Sequence, residues 1–534
     1  MPPRILVIGL DAATLDLIEP WLGRLPALAG LVSSGFTARF LSTPNMHSAS
    51  SWTSILTGLN PGRHGLFVFS DRDFETGKQL FFKGGDRTGE TIGAILSRHD
   101  LTSGFVNVPM TYPAESTEGG FMISGLDAPS LNADAFRPEG LRDEILGRFP
   151  DYTFSPPSLG DMMRAGKIDS ALTAWIRLIE TQTSVVEYLI ENRPVDFLMT
   201  VYTASDWGGH NLWRYIGDSS SRYFDSLLSI YIALDSAIGR LLAHAGENTQ
   251  VYVISDHGMG AHSGASYHLS AWLEKRGYMS RNKKRQSLVG STRKAAQKVL
   301  PASLKDRIKK RIGDQKLKQI QAADKDTFYD SIDWQKTAAY SEPGRHVVNI
   351  NLAGRNHAGI VRQSEYDAFC ETIIGDLRSW MDIDGSPVVE RVAKRRDVYQ
   401  GDFVNRASDL HIYWNPTAKM GPPPEEVKAR GFWWSGDHRP EGILICRGPG
   451  IRHGAAANNP IVYDLVPTLL HLAGLPIPEE LDGRVIEELC TEEVRLNNPV
   501  RFDRSSVGET NDSGSLSESD EKKIEEKLRA LGYL

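Results

Sequence analysis

The 534-residue sequence has few cysteines, no long apolar run and no excess of basic residues. Its three cysteines, Cys370, Cys446 and Cys490, are far apart, which argues against a disulfide framework and against a thiolate zinc site. No stretch of eighteen apolar residues occurs, so we expect no membrane-spanning helix. The net charge of −7 argues against a reader of nucleic acid, and the sparse cysteines favour a reduced, cytoplasmic location.

The amino-terminal segment carries a basic residue and a short apolar run, as a secretion signal would. Asp11 interrupts this run directly after Leu10, and no small-residue cleavage site follows. We therefore interpret residues 5–10 as a buried strand, and we expect no signal peptide.

Four short apolar runs predict parallel strands that are buried on both faces of a sheet. They read RILVIGLDA, DFLMTVYTASD (196–206), TQVYVISDHG (249–258) and EGILICRGPG (441–450). Amphipathic helical patterns lie between them, at 170–192 and 221–246. Strands that alternate with helices predict an α/β fold, a three-layer α/β/α sandwich with a mostly parallel central sheet and helical insertions.

The predicted catalytic core has two parts, residues 1–280 and 326–490, separated by a helical insertion or cap at 281–325. Residues 281–320 are dense in lysine and arginine, which is typical of a solvated helix. The alternative is a docking surface for an anionic membrane or protein partner, which would place the protein at a membrane periphery. Residues 491–534 are interpreted as a linker and a docking helix. That helix is expected to dock through Leu528, Leu531, Tyr533 and Leu534.

Acidic residues stand at the ends of three predicted strands. Asp11, Asp206 and Asp256 each occupy such a position, and His257 follows the last of them. Aspartate is a common turn and cap residue, so one example would mean little. Because the carboxyl ends of parallel strands meet at one edge of a sheet, the three together favour a metal site.

Two further histidines extend this candidate site. His210 lies four residues after Asp206, which puts both side chains on one face of a helix, and His438 lies in a glycine-flanked loop before the last strand. Carboxylates and imidazoles without thiolates suit zinc, manganese or iron-type ions. Six donors are too many for one catalytic ion with an open position, so two ions are implied. Two ions about 4 Å apart suit phosphoryl transfer.

The hydroxyl-rich segment LSTPNMHSASSWTSILTG contains candidate nucleophiles. The apolar spacing from Trp52 to Leu56 predicts a helix that begins at Ser48 or a near neighbour, where the helix dipole favours an anion. Ser48 could equally be a helix cap, and Thr43 and Ser50 are its rivals as nucleophile.

Several motifs together resemble the alkaline phosphatase superfamily, and within it the type I phosphodiesterase/nucleotide pyrophosphatase branch. They are IGLDAA, SWTSILTGLNPGRHG with the serines before it, the D-x-x-x-H of residues 206–210, SDHGM, GDHRPEG and YDLVPTLLHLAGLPIPEELDGR. The resemblance spans residues 5–484. It implies the corresponding fold and a phosphoester hydrolase, either a phosphodiesterase or a phosphatase, with two divalent ions. Zinc is the expected metal, with manganese as the alternative.

The resemblance also assigns roles to individual residues. It implies a first ion held by Asp206, His210 and His438, and a second held by Asp11, Asp256 and His257. Ser48 takes the place of the family's nucleophilic threonine, bridges the two ions and would form a phosphoseryl intermediate. Two departures, Ser50 where a proline is frequent and Phe69 where nucleotide pyrophosphatases have an asparagine, argue against nucleotide pyrophosphatase activity of that kind.

Two other functions are kept as alternatives. One is a phosphotransferase similar to cofactor-independent phosphoglycerate mutase, and the other is a non-catalytic scaffold that binds through its basic insertion. A Ser/His/Asp hydrolase is disfavoured because no G-x-S-x-G turn follows a strand. The expected substrate is a small-molecule, lipid or nucleotide phosphoester, and Arg439 and Trp207 are candidate substrate contacts.

Overall fold

The structure, a computed structural model, describes most of the chain. The described residues are 1–156, 159–282, 328–421, 423–424, 427, 434–455, 458–504 and 516–531. Nearly all of the predicted basic insertion, 281–325, lies outside them. No helix among the described residues combines the length and the apolarity that crossing a bilayer requires.

The described elements alternate between strands and helices along much of the chain. The strands are β1 (Ile5–Leu10), β2 (Phe36–Leu41), β3 (Ser70–Arg72), β4 (Gln79–Phe81), β5 (Ser103–Val108), β6 (Phe121–Ser124), β7 (Phe136–Arg137), β8 (Phe197–Tyr202), β9 (Gln250–Ile254), β10 (Gly258–Ala261), β11 (Ala339–Tyr340), β12 (Val347–Ile350), β13 (Val389–Lys394), β14 (Leu410–Trp414), β15 (Gly436–Arg439), β16 (Glu441–Arg447), β17 (Gly454–Ala455), β18 (Ile477–Pro478) and β19 (Phe502–Asp503). The helices are α1 (Leu15–Trp21), α2 (Pro26–Ser34), α3 (Ser48–Thr57), α4 (Pro61–His64), α5 (Ile92–Ser97), α6 (Leu141–Arg148), α7 (Leu159–Arg164), α8 (Ile168–Asn192), α9 (Ala204–Ile216), α10 (Ser226–Leu242), α11 (Ala265–Lys275), α12 (Tyr366–Arg378), α13 (Arg395–Val398), α14 (Leu465–Leu472), α15 (Glu492–Asn497) and α16 (Glu518–Leu531).

Nine strands form the central sheet, in the order β17-β2-β16-β9-β1-β8-β5-β6-β7. The five strands from β9 to β6 are mutually parallel, whereas β16 and β7 run antiparallel to their neighbours. All six residues of β1 and of β8 are buried, as their continuous apolar sequences predict. The mostly parallel sheet is therefore confirmed. The prediction of a parallel strand at 441–450 is wrong, because this run forms β16, which is buried within the sheet but antiparallel to both β2 and β9.

Helices cover both faces of this sheet. Along β1, Leu6 and Ile8 join a hydrophobic cluster with residues of α2, α8 and α10, while Ile5 and Val7 join a second cluster with residues of α3, α5 and α14. Side chains alternate between faces because successive residues of a strand point in opposite directions. The helices that contribute to these two clusters form the outer layers of the three-layer α/β/α arrangement that the sequence predicts.

A second, smaller sheet lies within the range 326–490. Its antiparallel strands follow the order β11-β12-β14-β13, and we refer to these four strands as the small sheet. Residues of α11 and α12, including Trp272 and Ile373, pack with it in a separate hydrophobic cluster. The sequence interpretation treated this range as a continuation of the core and did not separate the small sheet from it.

The carboxyl-terminal helix α16 packs against the body of the protein. Ile524 and Leu528 are buried in the cluster that contains α8 and α10. Nζ of Lys527 lies 3.3 Å from the carbonyl oxygen of Leu126 and donates to it. Leu528 is thus buried, as expected of a docking residue. The other three predicted docking residues, Leu531, Tyr533 and Leu534, have side chains outside the described part of the structure.

A glycine in β1 brings α3 close to the central sheet. A Cβ at Gly9 would lie 2.5 Å from Cη2 of Trp52 and 2.8 Å from Cγ2 of Val201. The indole of Trp52 therefore occupies the space that a side chain at position 9 would take. This close approach lets Nε1 of Trp52 donate to Oδ2 of Asp11 at 3.1 Å.

The Gly9→Ala substitution is expected to destabilise the protein by about 1–3 kcal/mol, because Trp52 has to move to admit the methyl group. The matched control is Gly239→Ala, since a Cβ there meets only Cβ of Ala27, at 3.7 Å. Within α10 this control should stabilise by roughly 0.5–1 kcal/mol. Urea unfolding measures both changes, and equal effects of the two substitutions would contradict the steric argument.

Candidate active site

All six predicted metal ligands lie at the carboxyl edge of the central sheet or on the two-stranded sheet of β10 and β15 beside it. Three carboxylates follow the adjacent strands β9, β1 and β8, and two histidines belong to the segments that follow β8 and β9. The third histidine reaches the site because β15 pairs with β10, which comes directly after β9. The six residues are Asp11, Asp206, His210, Asp256, His257 and His438.

The first group consists of Asp206, His210 and His438, whose ligand atoms lie within 4.8 Å of one another. Oδ1 of Asp206 is 3.2 Å from Nε2 of His210 and 3.4 Å from Nε2 of His438. The two Nε2 atoms are 2.9 Å apart. These three atoms form a compact triangle, and its residues are those of the first predicted ligand set.

Backbone carbonyls decide which nitrogen of each imidazole carries the proton. Nδ1 of His210 lies 3.0 Å from the carbonyl oxygen of Gly436, and Nδ1 of His438 lies 2.6 Å from that of Met46. Because a carbonyl oxygen only accepts, each Nδ1 donates, and each neutral ring presents a bare Nε2. Two bare nitrogens and a carboxylate oxygen at this spacing repel one another unless a cation lies between them. The triangle therefore fits a divalent ion.

The second group consists of Asp11, Asp206 and His257, whose ligand atoms also lie within 4.8 Å of one another. Nε2 of His257 is 3.7 Å from Oδ1 of Asp11 and 3.3 Å from Oδ2 of Asp256. Its Nδ1 lies 3.1 Å from the carbonyl oxygen of Gly258, so the bare Nε2 again faces the carboxylates. Asp206 thus belongs to both groups, whereas the resemblance placed it in the first alone and placed Asp256 in the second.

Two of the carboxylates have one oxygen held by the protein and one directed elsewhere. Nε1 of Trp52 donates to Oδ2 of Asp11, and the backbone N–H of Ala12 donates to Oδ1 of Asp256 at 3.3 Å. Within the described part of the chain, Oδ1 of Asp11 and Oδ2 of Asp256 are buried and accept no hydrogen bond. A buried carboxylate oxygen without a donor is costly, so both atoms fit coordination to a cation.

The pKa values of the three carboxyl groups diverge. Burial, together with the charges of Asp256 and Asp206, raises the pKa of Asp11 well above its ordinary value. Burial and the charge of Asp206 raise the pKa of Asp256 to about 7. Burial also acts to raise the pKa of Asp206, but in the absence of an ion the charge and hydrogen bonds of the protonated forms of His210 and His438 outweigh it and hold that pKa well below its ordinary value. The protein alone therefore does not balance three ionised carboxylates here.

Ser48 is the first residue of α3, and its Oγ lies 3.1 Å from Nε2 of His257. The hydroxyl donates this hydrogen bond because Nδ1 is the protonated nitrogen of the ring. The oxygen is thereby held beside both ligand groups and at the positive end of the helix dipole. In a Ser/His/Asp triad a carboxylate would accept from the far nitrogen, but here the carbonyl of Gly258 does so.

The rival hydroxyls belong to a separate network that joins the loop before α3 to the first turn of this helix. Oγ1 of Thr43 lies 2.9 Å from Oγ of Ser50, and Ser50 donates to Oδ1 of Asn45 at 2.8 Å. Oγ1 of Thr43 also lies 2.8 Å from Oγ of Ser51. Of the three candidate nucleophiles, Ser48 is the one that the structure brings to the predicted ligands.

A cluster that sequence reasoning missed lies beside His438. The carboxylate of the preceding residue, Asp437, is 3.2 Å from Nε2 of His346 and 3.6 Å from Nε2 of His262. Burial acts to raise the pKa of Asp437, but these two histidines outweigh it and hold that pKa well below its ordinary value. The only sequence signal was an acid next to a predicted ligand, because the two histidines come from separate segments.

The two candidate substrate contacts are engaged in other interactions. Nη1 of Arg439 donates to the carbonyl oxygen of His438 at 3.0 Å, and Nη2 donates to that of Ala261. Trp207 is buried in the hydrophobic cluster beneath α9. Their roles in substrate binding stay predictions.

Solved structures with a similar fold include an alkaline phosphatase and a phosphonoacetate hydrolase. The chain is 13% identical to wild-type alkaline phosphatase PafA, with a TM-score of 0.53 over 92% of this chain and 99% of that chain. It is 13% identical to phosphonoacetate hydrolase from Sinorhizobium meliloti 1021, with a TM-score of 0.50 over 87% of this chain and 94% of that chain. At such low identity the likeness concerns the fold, and it confirms the alkaline phosphatase-like architecture.

A search of curated proteins finds no match. The family model described as type I phosphodiesterase / nucleotide pyrophosphatase matches residues 5–421. This range contains Ser48 and every predicted ligand except His438. The chain therefore belongs to the type I phosphodiesterase/nucleotide pyrophosphatase family of the alkaline phosphatase superfamily, a family of phosphoester hydrolases.

Proposed function

We propose that the protein is a metal-dependent phosphoester hydrolase in which Ser48 attacks phosphorus with the help of two divalent ions, zinc or, alternatively, manganese. The observation that carries this proposal is the position of the Ser48 hydroxyl, whose Oγ is 3.1 Å from Nε2 of His257, beside two ligand groups that share Asp206. Bound divalent ions would lower the pKa of the Ser48 hydroxyl and offset the charge that develops on the phosphoryl and leaving oxygens.

The side chains of the protein have separate tasks in this reaction. In the metal-free protein Nε2 of His257 holds the Ser48 hydroxyl at the site, and a bound ion would take this nitrogen in place of the hydroxyl. The N-terminus of α3 favours both an alkoxide at Ser48 and a phosphoryl group next to it. His210 and His438 present bare nitrogens because Gly436 and Met46 accept from their Nδ1 atoms. Attack of the Ser48 oxygen on phosphorus would break the ester bond, release the alcohol of the substrate and leave a phosphoseryl group; water would then break the bond from Ser48 to phosphorus, release the phosphoryl product and restore the hydroxyl.

The first test compares hydrolysis of an aryl phosphate diester with that of the matching monoester. Metal-stripped protein, reloaded with zinc or manganese, should hydrolyse at least one of the two. The Ser48→Ala substitution is expected to lower kcat by about 10³-fold or more, because it removes the attacking oxygen. Acid quenching should trap a phosphorylated protein in the wild type and none in the Ser48→Ala variant.

Ser54→Ala is the matched control for this substitution. Ser54 lies on the same helix, is also buried, and its Oγ is also close to a histidine, 3.0 Å from Nε2 of His64. That histidine is not a predicted ligand, so Ser54→Ala should retain metal-dependent turnover. Equal loss of activity in both variants would contradict the role of Ser48. Transfer of phosphate between sugar hydroxyls without its release would indicate a mutase instead.

A second test removes one of the buried negative charges. Without metal, Asp256→Asn should raise the melting temperature by about 2 °C or more, because it relieves repulsion from Asp11 and Asp206. The gain should grow as the pH rises to about 7, since a carboxyl whose pKa is raised in the folded state stabilises that state at low pH and loses this contribution as it ionises. Added zinc should raise the melting temperature of the wild type more than that of the variant.

The control for this charge removal is Asp127→Asn. Asp127 is equally buried, but its two oxygens accept from four backbone N–H groups, those of Gly84, Met110, Thr111 and Tyr112. An amide side chain cannot accept at both positions, so this variant should melt at a lower temperature and keep the full response to zinc. Destabilisation of the metal-free protein by Asp256→Asn would contradict the repulsion argument.

A further inference from the structure

Met46 adopts a backbone conformation that non-glycine residues rarely adopt. Its φ angle is 48°, in the left-handed region, and it stands two residues before Ser48. Its N–H donates to the carbonyl oxygen of Thr43 at 2.8 Å, which closes a turn. Such a conformation costs on the order of 1–3 kcal/mol in a residue other than glycine, so the surrounding contacts must hold it.

Those contacts come from the small sheet and its connections. The side chain of Met46 is buried in a cluster with Ala393 and Tyr413, against which Val398 packs. The hydroxyl of Tyr413 donates to the carbonyl oxygen of Pro44 at 2.9 Å. Strands β13 and β14 therefore contact the loop before Ser48 in two ways, by apolar packing against Met46 and by a hydrogen bond to Pro44.

The same loop touches a predicted metal ligand on its other side. The carbonyl oxygen of Met46 accepts from Nδ1 of His438 at 2.6 Å. This hydrogen bond sets the tautomer and the orientation of the His438 ring, whose Nε2 lies 3.4 Å from Oδ1 of Asp206. The left-handed conformation of Met46 sets the direction of that carbonyl group.

We propose that Tyr413 and Met46 are positioning residues, through which the small sheet sets the orientation of His438 and hence the affinity of the Asp206, His210 and His438 group for its ion. This proposal rests on the metal dependence proposed above. Groups that orient a metal-ligating histidine typically affect metal affinity by about 10- to 100-fold when they are removed. The hydroxyl of Tyr413 is bonded to the carbonyl of Pro44, and the group of Met46 that accepts from His438 is its backbone carbonyl, so the proposed effect passes through the loop backbone.

The test measures zinc affinity by chelator competition with the full-length metal-free protein. Tyr413→Phe keeps the ring and its packing and removes only the hydroxyl group. It is expected to lower the affinity for one of the two zinc ions by about 10-fold. The matched control is Tyr366→Phe, because Tyr366 is 9% exposed, like Tyr413, and its hydroxyl donates at 2.7 Å to Asp409, away from the loop. This control should lower the melting temperature and leave both zinc affinities unchanged.

A double-mutant cycle tests whether Tyr413 and Met46 affect zinc affinity through the same loop or through separate changes in the structure. Met46→Ala should also lower the affinity for one zinc ion. In the double variant, the fold-loss of this affinity should be smaller than the product of the fold-losses in the two single variants. Unchanged zinc affinity in both single variants would overturn the positioning role. Absence of zinc binding by the wild type would instead overturn the proposed function, so the two failures are distinguishable.

Discussion

The carboxylates of Asp11, Asp206 and Asp256 lie buried side by side at the carboxyl ends of three adjacent strands. Burying like charges costs several kcal/mol per group unless opposite charge accompanies them. In the absence of an ion, the protonated forms of His210 and His438 would offset part of this charge, at Asp206. In the described part of the chain, Oδ1 of Asp11 and Oδ2 of Asp256 accept no hydrogen bond. The edge of the sheet thus fits cations, and the proposed function implies that metal binding and folding are coupled.

The surrounding scaffold accommodates both this charge and local backbone strain. Ala12 and Met46 have positive φ angles without being glycines, and each stands next to a group of the site, Asp11 in one case and the His47–Ser48 helix start in the other. Two hydrophobic clusters on the faces of the sheet and a third beneath the small sheet supply the stability that offsets such local costs. The site therefore lies between separate hydrophobic clusters.

Much of the fold, and which residues gather at the candidate site, could be predicted from the sequence. The buried runs that end at Asp11 and Asp256 identify strands covered on both faces, since such strands read as continuous apolar segments. The same pattern does not fix strand direction, because the run at β16 is antiparallel to its neighbours. The spacing of Asp206 and His210 identified one helix face, as α9 confirms. The small sheet was not distinguished, since its short strands carry no long apolar or strictly alternating pattern, and the pairing of Asp437 with His262 and His346 joins segments that are distant in the chain.

The sequence by itself determined which residue types stand at the strand ends, because local periodicity and the position of each polar residue after an apolar run are properties of neighbouring residues. Only the tertiary structure decided how these side chains meet. It places Asp206 in both ligand groups, brings Ser48 rather than Thr43 or Ser50 to His257, and turns the carbonyl of Met46 towards His438. These contacts depend on strand order, on the close approach of α3 to β1 and on the left-handed turn at Met46, which are set by packing between distant segments and not by local sequence.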